Sequence, residues 1–513
     1  MTLDAAIVGA GHNGLVAAAY LARAGLSVTA FERRDIPGGA CVTEELWPGV
    51  RASPGAYTLS LLRAEIIAEL DLNAHGLHVE VHDPYLFAPF PDGRRVITWS
   101  DPQRTHAQIA DDWSRADADA YLDWANRREA AAARARPLML EPPDRERWLE
   151  ALGQEILDGA IADEVAGIPA EQIRVPLAIQ GLIGTLAGPS DPGTSFVSLY
   201  HDLGEAAGPP GAWGYARGGM GAVTAALHSA AEAGGARVRL DSPVARVTSE
   251  DGRATGLVLA DGEEVAARAV LSGADPLTTS ELAGVAPPDG WRQAGPVVKV
   301  MALLDGLPDF PGWPGEEPWR GAIDIGYTLD DLEQAAQDAR AGRSPRTPWI
   351  EAACQTSVDD TLAPEDRHVV SMFCQCFPTD VDPEAAADAA IERFALACPS
   401  LPDRIVDRIA LGPRELEGRF GIRGGHIFHG EMLPGQLLDG RDHCRGFGGL
   451  EGLYLAGSGA HPGGAVTGAP GYLAARAAIA DLVAPTRASP DPRARRVAPT
   501  RASPDPRARR TSG

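Results

Sequence analysis

Sulfur, aromatic rings and basic charge are all scarce in this chain. Six cysteines (Cys41, Cys354, Cys374, Cys376, Cys398, Cys444) are scattered through 513 residues, which excludes a disulfide-stapled framework. Cys374 and Cys376 lie two apart in the apolar run FCQCF; on a strand they share one face, and free core thiols are the expectation. Lysine and arginine total 46 against 70 acidic residues, a formal charge of −24. A general nucleic-acid binder needs a basic surface to meet phosphates, so that class is excluded. No apolar run is long enough to span a bilayer, and the nearest, 175–188, is broken by glycines; a peripheral membrane contact is compatible with this. The opening MTLDAAIVGAG has neither a basic n-region nor an apolar h-region, so no secretory signal is read and a cytoplasmic location is expected.

Glycine, by contrast, is plentiful at 58 residues, and the chain is too long for a single core. The first apolar run, 5–8, meets Gly9-Ala10-Gly11-His12-Asn13-Gly14. Leu15, Val16, Ala19 and Leu21 then recur at helical spacing as far as Gly25, a helix-ending glycine. A second strand, 27–31, closes on Glu32. Strand, glycine turn, helix, strand and terminal acid together form a dinucleotide-binding unit, far more specific than a bare GxGxxG. Gly9 permits the tight turn, Gly11 lets a pyrophosphate approach the backbone, and Gly14 lets helix and strand touch. The helix N-terminus offers amide donors to phosphate, and Glu32 can accept from both ribose hydroxyls. Its charge would repel a 2′-phosphate, an effect that Arg33 and Arg34 soften.

Farther on, Pro102 to Arg136 is charged and alanine-rich and reads as solvated helix. Gly218-Gly219-Met220-Gly221 opens an amphipathic helix with no strand expected before it, so no second dinucleotide fingerprint is evident. Gly452 to Val483 reads as strand, glycine loop and alanine-rich helix, with Pro470 in the first helical turn. From 484 onward APTRASPDPRARR occurs twice, with eight arginines against two aspartates over 484–513. That composition cannot pack a core, and a disordered basic tail is expected.

Four segments carry a resemblance that spans the chain apart from this tail: the fingerprint with GGACVTEE (38–45), GAWGYARGGMGAVTAAL (211–227), RFGIRGGHIFHGEM (419–432) and GLYLAGSGAHPGGAVTGAPG (452–471). The chain resembles the phytoene (carotenoid) desaturase-related branch of the amine-oxidase superfamily, and most of all the subgroup typified by pyridine nucleotide-disulfide oxidoreductase domain-containing protein 2. The resemblance implies an α/β fold: a Rossmann-type FAD-binding domain of the glutathione-reductase/amine-oxidase type with an inserted α+β substrate domain. Residues 1–65, 212–285 and 445–483 are assigned to the first, and 66–211 and 286–444 to the second. It implies FAD as cofactor, with Gly9, Gly11, His12, Asn13, Gly14, Glu32, Arg33, Gly38, Gly39 and Ala40 around the ADP part. Val244 fits the position whose backbone meets the adenine. Gly457, Ser458, Gly459, Val466, Thr467 and Gly468 should line the ribityl chain and ring. Ser458 stands where many superfamily members carry Asp.

The expected reaction removes hydride from a substrate C–H to flavin N5 and a proton from the adjacent atom, giving C=C or C=N. A C-x4-C redox pair is missing beside the first helix, as is a nicotinamide module. Electrons therefore leave for oxygen, a quinone or another carrier. His426, His429 and Glu431 form H-x-x-H-x-E on an expected strand-turn. An extended chain would put His429 and Glu431 on one face and His426 on the other, poor geometry for a metal, so none is assigned. His429 with Glu431 is a candidate acid/base pair facing substrate, and His461, in the glycine loop, is another. A small soluble amine, amino-acid-derived molecule or secondary metabolite is favoured as substrate. The alternatives are a desaturase or isomerase of a long polyene or lipid at a membrane surface, and a flavin-binding scaffold without turnover.

Overall fold

A computed structural model describes residues 2–440 and 444–483; the repeated tail expected at 484–513 lies outside the described residues. The apolar run at the start forms strand β1 (Leu3–Val8), followed by helix α1 (His12–Arg23) and strand β2 (Val28–Phe31). The helix stops where Gly25 turns to φ +81°, a left-handed conformation that glycine adopts without strain. Its inner face, including Leu15, Val16, Ala19 and Leu21, is fully buried.

β1 lies at the centre of a seven-stranded sheet assembled from distant pieces of chain. It pairs in parallel with β2 on one side and with the long strand Glu264–Ser272 on the other. Arg237–Arg239 extends the parallel array beyond β2, and Leu453–Leu455 extends it beyond Ser272. The first half of Glu264–Ser272 turns away to pair antiparallel with Arg253–Leu259, which pairs in turn with Val244–Glu250. The carboxyl ends of the parallel strands therefore converge on one edge, where an open α/β sheet binds its ligand.

The second seven-stranded sheet runs in the order 405–411, 297–304, 368–375, 349–353, 322–325, 86–89, 95–98. Every pairing is antiparallel except that of 322–325 with 86–89. Strand 297–304 is buried along its whole length. Helices from the intervening chain cover this sheet. Among them is Pro102–Asp112, capped by the Asp101 carboxylate, which packs on strand 95–98; Arg115–Ala135, capped by Ser114, packs in turn on that helix.

Several expectations require correction here. The stretch 102–136 is not simply a solvated surface: Ala118, Trp124, Arg128, Ala131, Ala132 and Ala135 form a buried stripe. Arg128 is tolerated there because Glu164 and Asp202 both accept from its guanidinium at 2.7–2.9 Å. A short strand, Gly214–Ala216, does precede Gly218, but it pairs antiparallel with Val79–Val81, outside the parallel sheet. Residues 426–431 form turns, not a strand. Strand 368–375 ends before Cys376, whose φ of 72° breaks the alternation that would have placed it on the face of Cys374. All six cysteines are free, and burial pushes the Cys374 and Cys376 thiols up to about 12.

Candidate active site

At the carboxyl edge of the parallel sheet a cleft opens around the fingerprint. Gly9 turns at φ +83°, and a Cβ on Gly14 would collide with the Gly9 carbonyl. The Gly38-Gly39 pair runs alongside, with Gly38 N–H donating to the Ala10 carbonyl at 2.8 Å and Gly38 bridging to Gly11. Glu32 is buried, and its two carboxylate oxygens accept from Ala10 N–H at 2.8 Å and Arg34 N–H at 3.0 Å. Held by backbone donors, the carboxylate keeps lone pairs for hydroxyl groups in the cleft.

The structure brings Gly9, Gly11, His12, Asn13, Gly14, Glu32, Arg33, Gly38, Gly39, Ala40, Val244 and Ser458 together as lining of this one cleft. Asn13 Nδ2 lies 3.3 Å from Ser458 Oγ, tying the first segment to the last. Val466 lines an adjoining cavity instead. Gly457 and Gly459 pack against Gly273 and Pro276, leaving no room for a side chain, and Gly468 packs on Leu62, Ile66 and Val16. Thr467 is fully buried, and its hydroxyl accepts from Ala469 N–H at the start of the last helix.

The three catalytic candidates are dispersed. His429 lines the fingerprint cleft. Glu431 is ion-paired with Arg292 and lines neither this cleft nor the adjoining cavity. His461 is buried, 6.4 Å from the Trp148 ring, and also lines neither. His426 Nδ1 accepts from the Phe428 and Gly430 amides, which shapes the turn.

Beyond the cleft lies an inner chamber. The two share His12, Ala40, Phe420, Ile422, Ile427 and Ser458 in their walls. His12 is neutral there, its pKa lowered to about 3 by burial. Most of the chamber wall is apolar, with a polar row at one side. Cross-strand register places Asp324 opposite Glu351, Glu351 opposite Phe373 and Phe373 opposite Lys299, so the four side chains share one face of the second sheet. Tyr57 OH donates to Glu351 Oε1 at 2.5 Å, and Gln180 Nε2 donates to Oε2 at 3.1 Å. Lys299 Nζ sits 3.2 Å from the centroid of the Tyr57 ring. Burial holds the Lys299 amine well below its usual pKa and the Tyr57 phenol well above its own. None of these residues belongs to a motif. Their only trace in the sequence is a charge inside each of three apolar strands, VVKVMALL, AIDI and WIEAA.

The chain belongs to the flavin-containing amine oxidoreductase family, whose model matches residues 14–479; it is an FAD-dependent oxidoreductase. It is 35% identical to the rat pyridine nucleotide-disulfide oxidoreductase domain-containing protein 2, covering 93% of this chain and 94% of that one. It is 28% identical to hydroxyneurosporene desaturase of Cereibacter sphaeroides, covering 94% and 98%. Putrescine oxidase bound to putrescine shares the fold, with a TM-score of 0.60 at 18% identity, covering 94% of this chain and 100% of that one. The residues present suit FAD: a phosphate-sized glycine cradle, a positioned Glu32 carboxylate, and a buried Asn13 Oδ1 with no hydrogen-bond partner among the described residues. Among these residues no helix is long and apolar enough to cross a membrane.

Proposed function

We infer that the protein dehydrogenates a small amine-containing or amino-acid-derived substrate, forming C=N, with the reacting C–H held in the inner chamber. One observation carries this reading. The chamber beside the cofactor cleft is apolar along most of its wall yet ends on a buried carboxylate, Glu351, fixed by Tyr57 and Gln180. A conjugated hydrocarbon gives a buried carboxylate nothing to pair with, whereas an amine does. Bound FAD would supply the two-electron acceptor. Gly9, Gly11, Gly14 and Gly38 would cradle its pyrophosphate, and Glu32 its ribose. His12, Ala40, Ser458 and Val466 would stand at the passage into the chamber. The apolar walls orient the substrate and exclude water, and Tyr57 keeps its proton as a donor to Glu351. We assign residues 1–65, 212–285 and 445–483 to the FAD-binding part because the parallel sheet takes its strands from these stretches, and 66–211 and 286–444 to the substrate part. Electrons pass on to oxygen, a quinone or another carrier.

Anaerobic absorbance of the FAD-loaded protein tests the reading. Small secondary and primary amines are expected to bleach the oxidised flavin, and carotenoid precursors in detergent are not. Bleaching by the polyenes alone would reverse the assignment, and bleaching by neither would remove it.

A further inference from the structure

A second, outer chamber adjoins the inner one, and Tyr57, Thr58, Gln180, His201, Trp213 and Glu351 line both. Elsewhere in its wall stand two polar side chains that the fold buries and leaves unmet. His82 is 2% exposed and Trp99 5%, and both line the outer chamber but not the inner one. Neither His82 ring nitrogen nor the Trp99 indole N–H has a hydrogen-bond partner among the described residues. Leaving such groups unmet is costly inside a protein, so they mark a place where a ligand supplies the missing partner. The hairpin of strands 86–89 and 95–98 brings the two together. Tyr85 N–H donates to the Thr98 carbonyl at 2.7 Å, and Asp83 Oδ1 accepts from Ser100 N–H at 3.2 Å. His82 and Trp99 therefore flank the same end of that hairpin. Both rings are held in place: His82 lies 4.1 Å from the Tyr215 ring, and the Arg104 guanidinium lies 4.2 Å from the centroid of Trp99.

The chemistry of these groups narrows the ligand. Trp99 Nε1–H can only donate, and burial lowers the His82 pKa to about 3, so its neutral ring has one N–H to give. The complement is an acceptor. It is not an anion, because Arg128, the arginine in this wall, is occupied by Glu164 and Asp202. A hydroxyl would bring a donor of its own, and Trp99 has no lone pair to receive it. A carbonyl oxygen has two lone pairs and no hydrogen, which suits two N–H groups. Tyr121, Leu177 and Trp213 give the chamber flat apolar wall, suited to a ring.

We propose that the outer chamber binds a neutral, ring-bearing carbonyl compound whose oxygen accepts from Trp99 and His82. Two sources offer that chemistry: a quinone, which takes up electrons, and an aryl ketone, which does not. The assignment goes beyond the amine reading and is measured without any amine present. Equilibrium dialysis of FAD-loaded protein, with the flavin oxidised, would compare menadione, acetonaphthone and methylnaphthalene, which share a ring system and differ in their carbonyl groups. Each carbonyl compound is expected to bind at least about tenfold more tightly than the hydrocarbon. Trp99→Phe and His82→Phe should each cut that preference several-fold and leave methylnaphthalene binding unchanged, which also reports that the variant is folded. Equal binding of all three by the unaltered protein overturns the assignment, because water then meets the two donors. A preference that survives both substitutions overturns it too, because the carbonyl then sits elsewhere. A second arm separates the sources. Protein with dithionite-reduced flavin, freed of excess reductant without air, is mixed with menadione. Reoxidation that saturates with menadione and slows in both variants assigns the chamber to a quinone, two electrons and two protons passing from the reduced flavin to give the hydroquinone. Reoxidation that rises linearly and is unslowed in the variants assigns it to an aryl ketone. Amines that bleach the flavin while no carbonyl compound is preferred would leave the dehydrogenation reading standing and remove this one.

Discussion

Glu32 and Glu351 are both buried carboxylates, yet their surroundings give them different tasks. Glu32 is fixed by two backbone amides at a strand end, a site that local sequence dictates, and it lines the fingerprint cleft. Removing it in Glu32→Ala should weaken FAD by roughly 1–3 kcal/mol, the cost of leaving its partners unmet, and equilibrium dialysis of FAD would measure this. Undiminished affinity would show that the ribose does not reach it. Glu351 is fixed by side chains that are 294 and 171 residues distant in the sequence, so no spacing reveals it. For that reason the first site was legible in the sequence and the second was not. Motif reasoning favoured His429, Glu431 and His461 because they sit in glycine-rich, distinctive segments. Of these only His429 faces the cofactor cleft, and Glu431 is paired with Arg292.

At the scale of elements, the close contact between α1 and β1 depends on Gly14. A side chain there would collide with the Gly9 carbonyl and push the helix off the strand. Gly14→Val should therefore yield protein that purifies with little or no flavin, measured as flavin absorbance per protein absorbance; normal loading would contradict this role. The βαβ unit was readable because its turn, helix period and terminal acid are all local. The helix 115–135 was misread in part because its buried stripe is built from alanines and one arginine, residues that a charge-rich composition disguises. Trp124 was the available clue. The segment 426–431, expected as a strand-turn, is turn throughout, because His426 satisfies two amides of the turn itself.

Across the whole molecule, the cavities are lined by neutral buried histidines, and this sets a pH dependence. Burial lowers His12 and His82 to about 3 and His201 to about 4, from 6.5. Above pH 6.5 the folded and unfolded chains hold the same protons at these positions. Below it the unfolded chain takes up protons that the folded one refuses, so stability falls as pH drops toward 4. At pH 5 each such histidine costs about 2 kcal/mol. Asp324 acts in the opposite sense. Its raised pKa lets the folded chain keep a proton that the unfolded chain releases above 3.8, so its contribution declines as pH rises. Thermal melts of FAD-loaded protein across pH should show a shallower acid limb in His82→Gln. Asp324→Asn should gain relative stability toward higher pH. Parallel curves for variant and parent would contradict the burial of these groups as neutral species.

The two seven-stranded sheets meet along a continuous path, from a cleft that reads a dinucleotide to a chamber that ends on a carboxylate. An experimental structure of the FAD-loaded protein tests that central claim most directly. The account predicts the ribose on Glu32, the pyrophosphate over Gly11 and Gly38, and the flavin ring at the mouth of the inner chamber between His12 and Val466, facing Glu351. A nucleotide bound away from Glu32, or a ring turned out of the chamber, would contradict it.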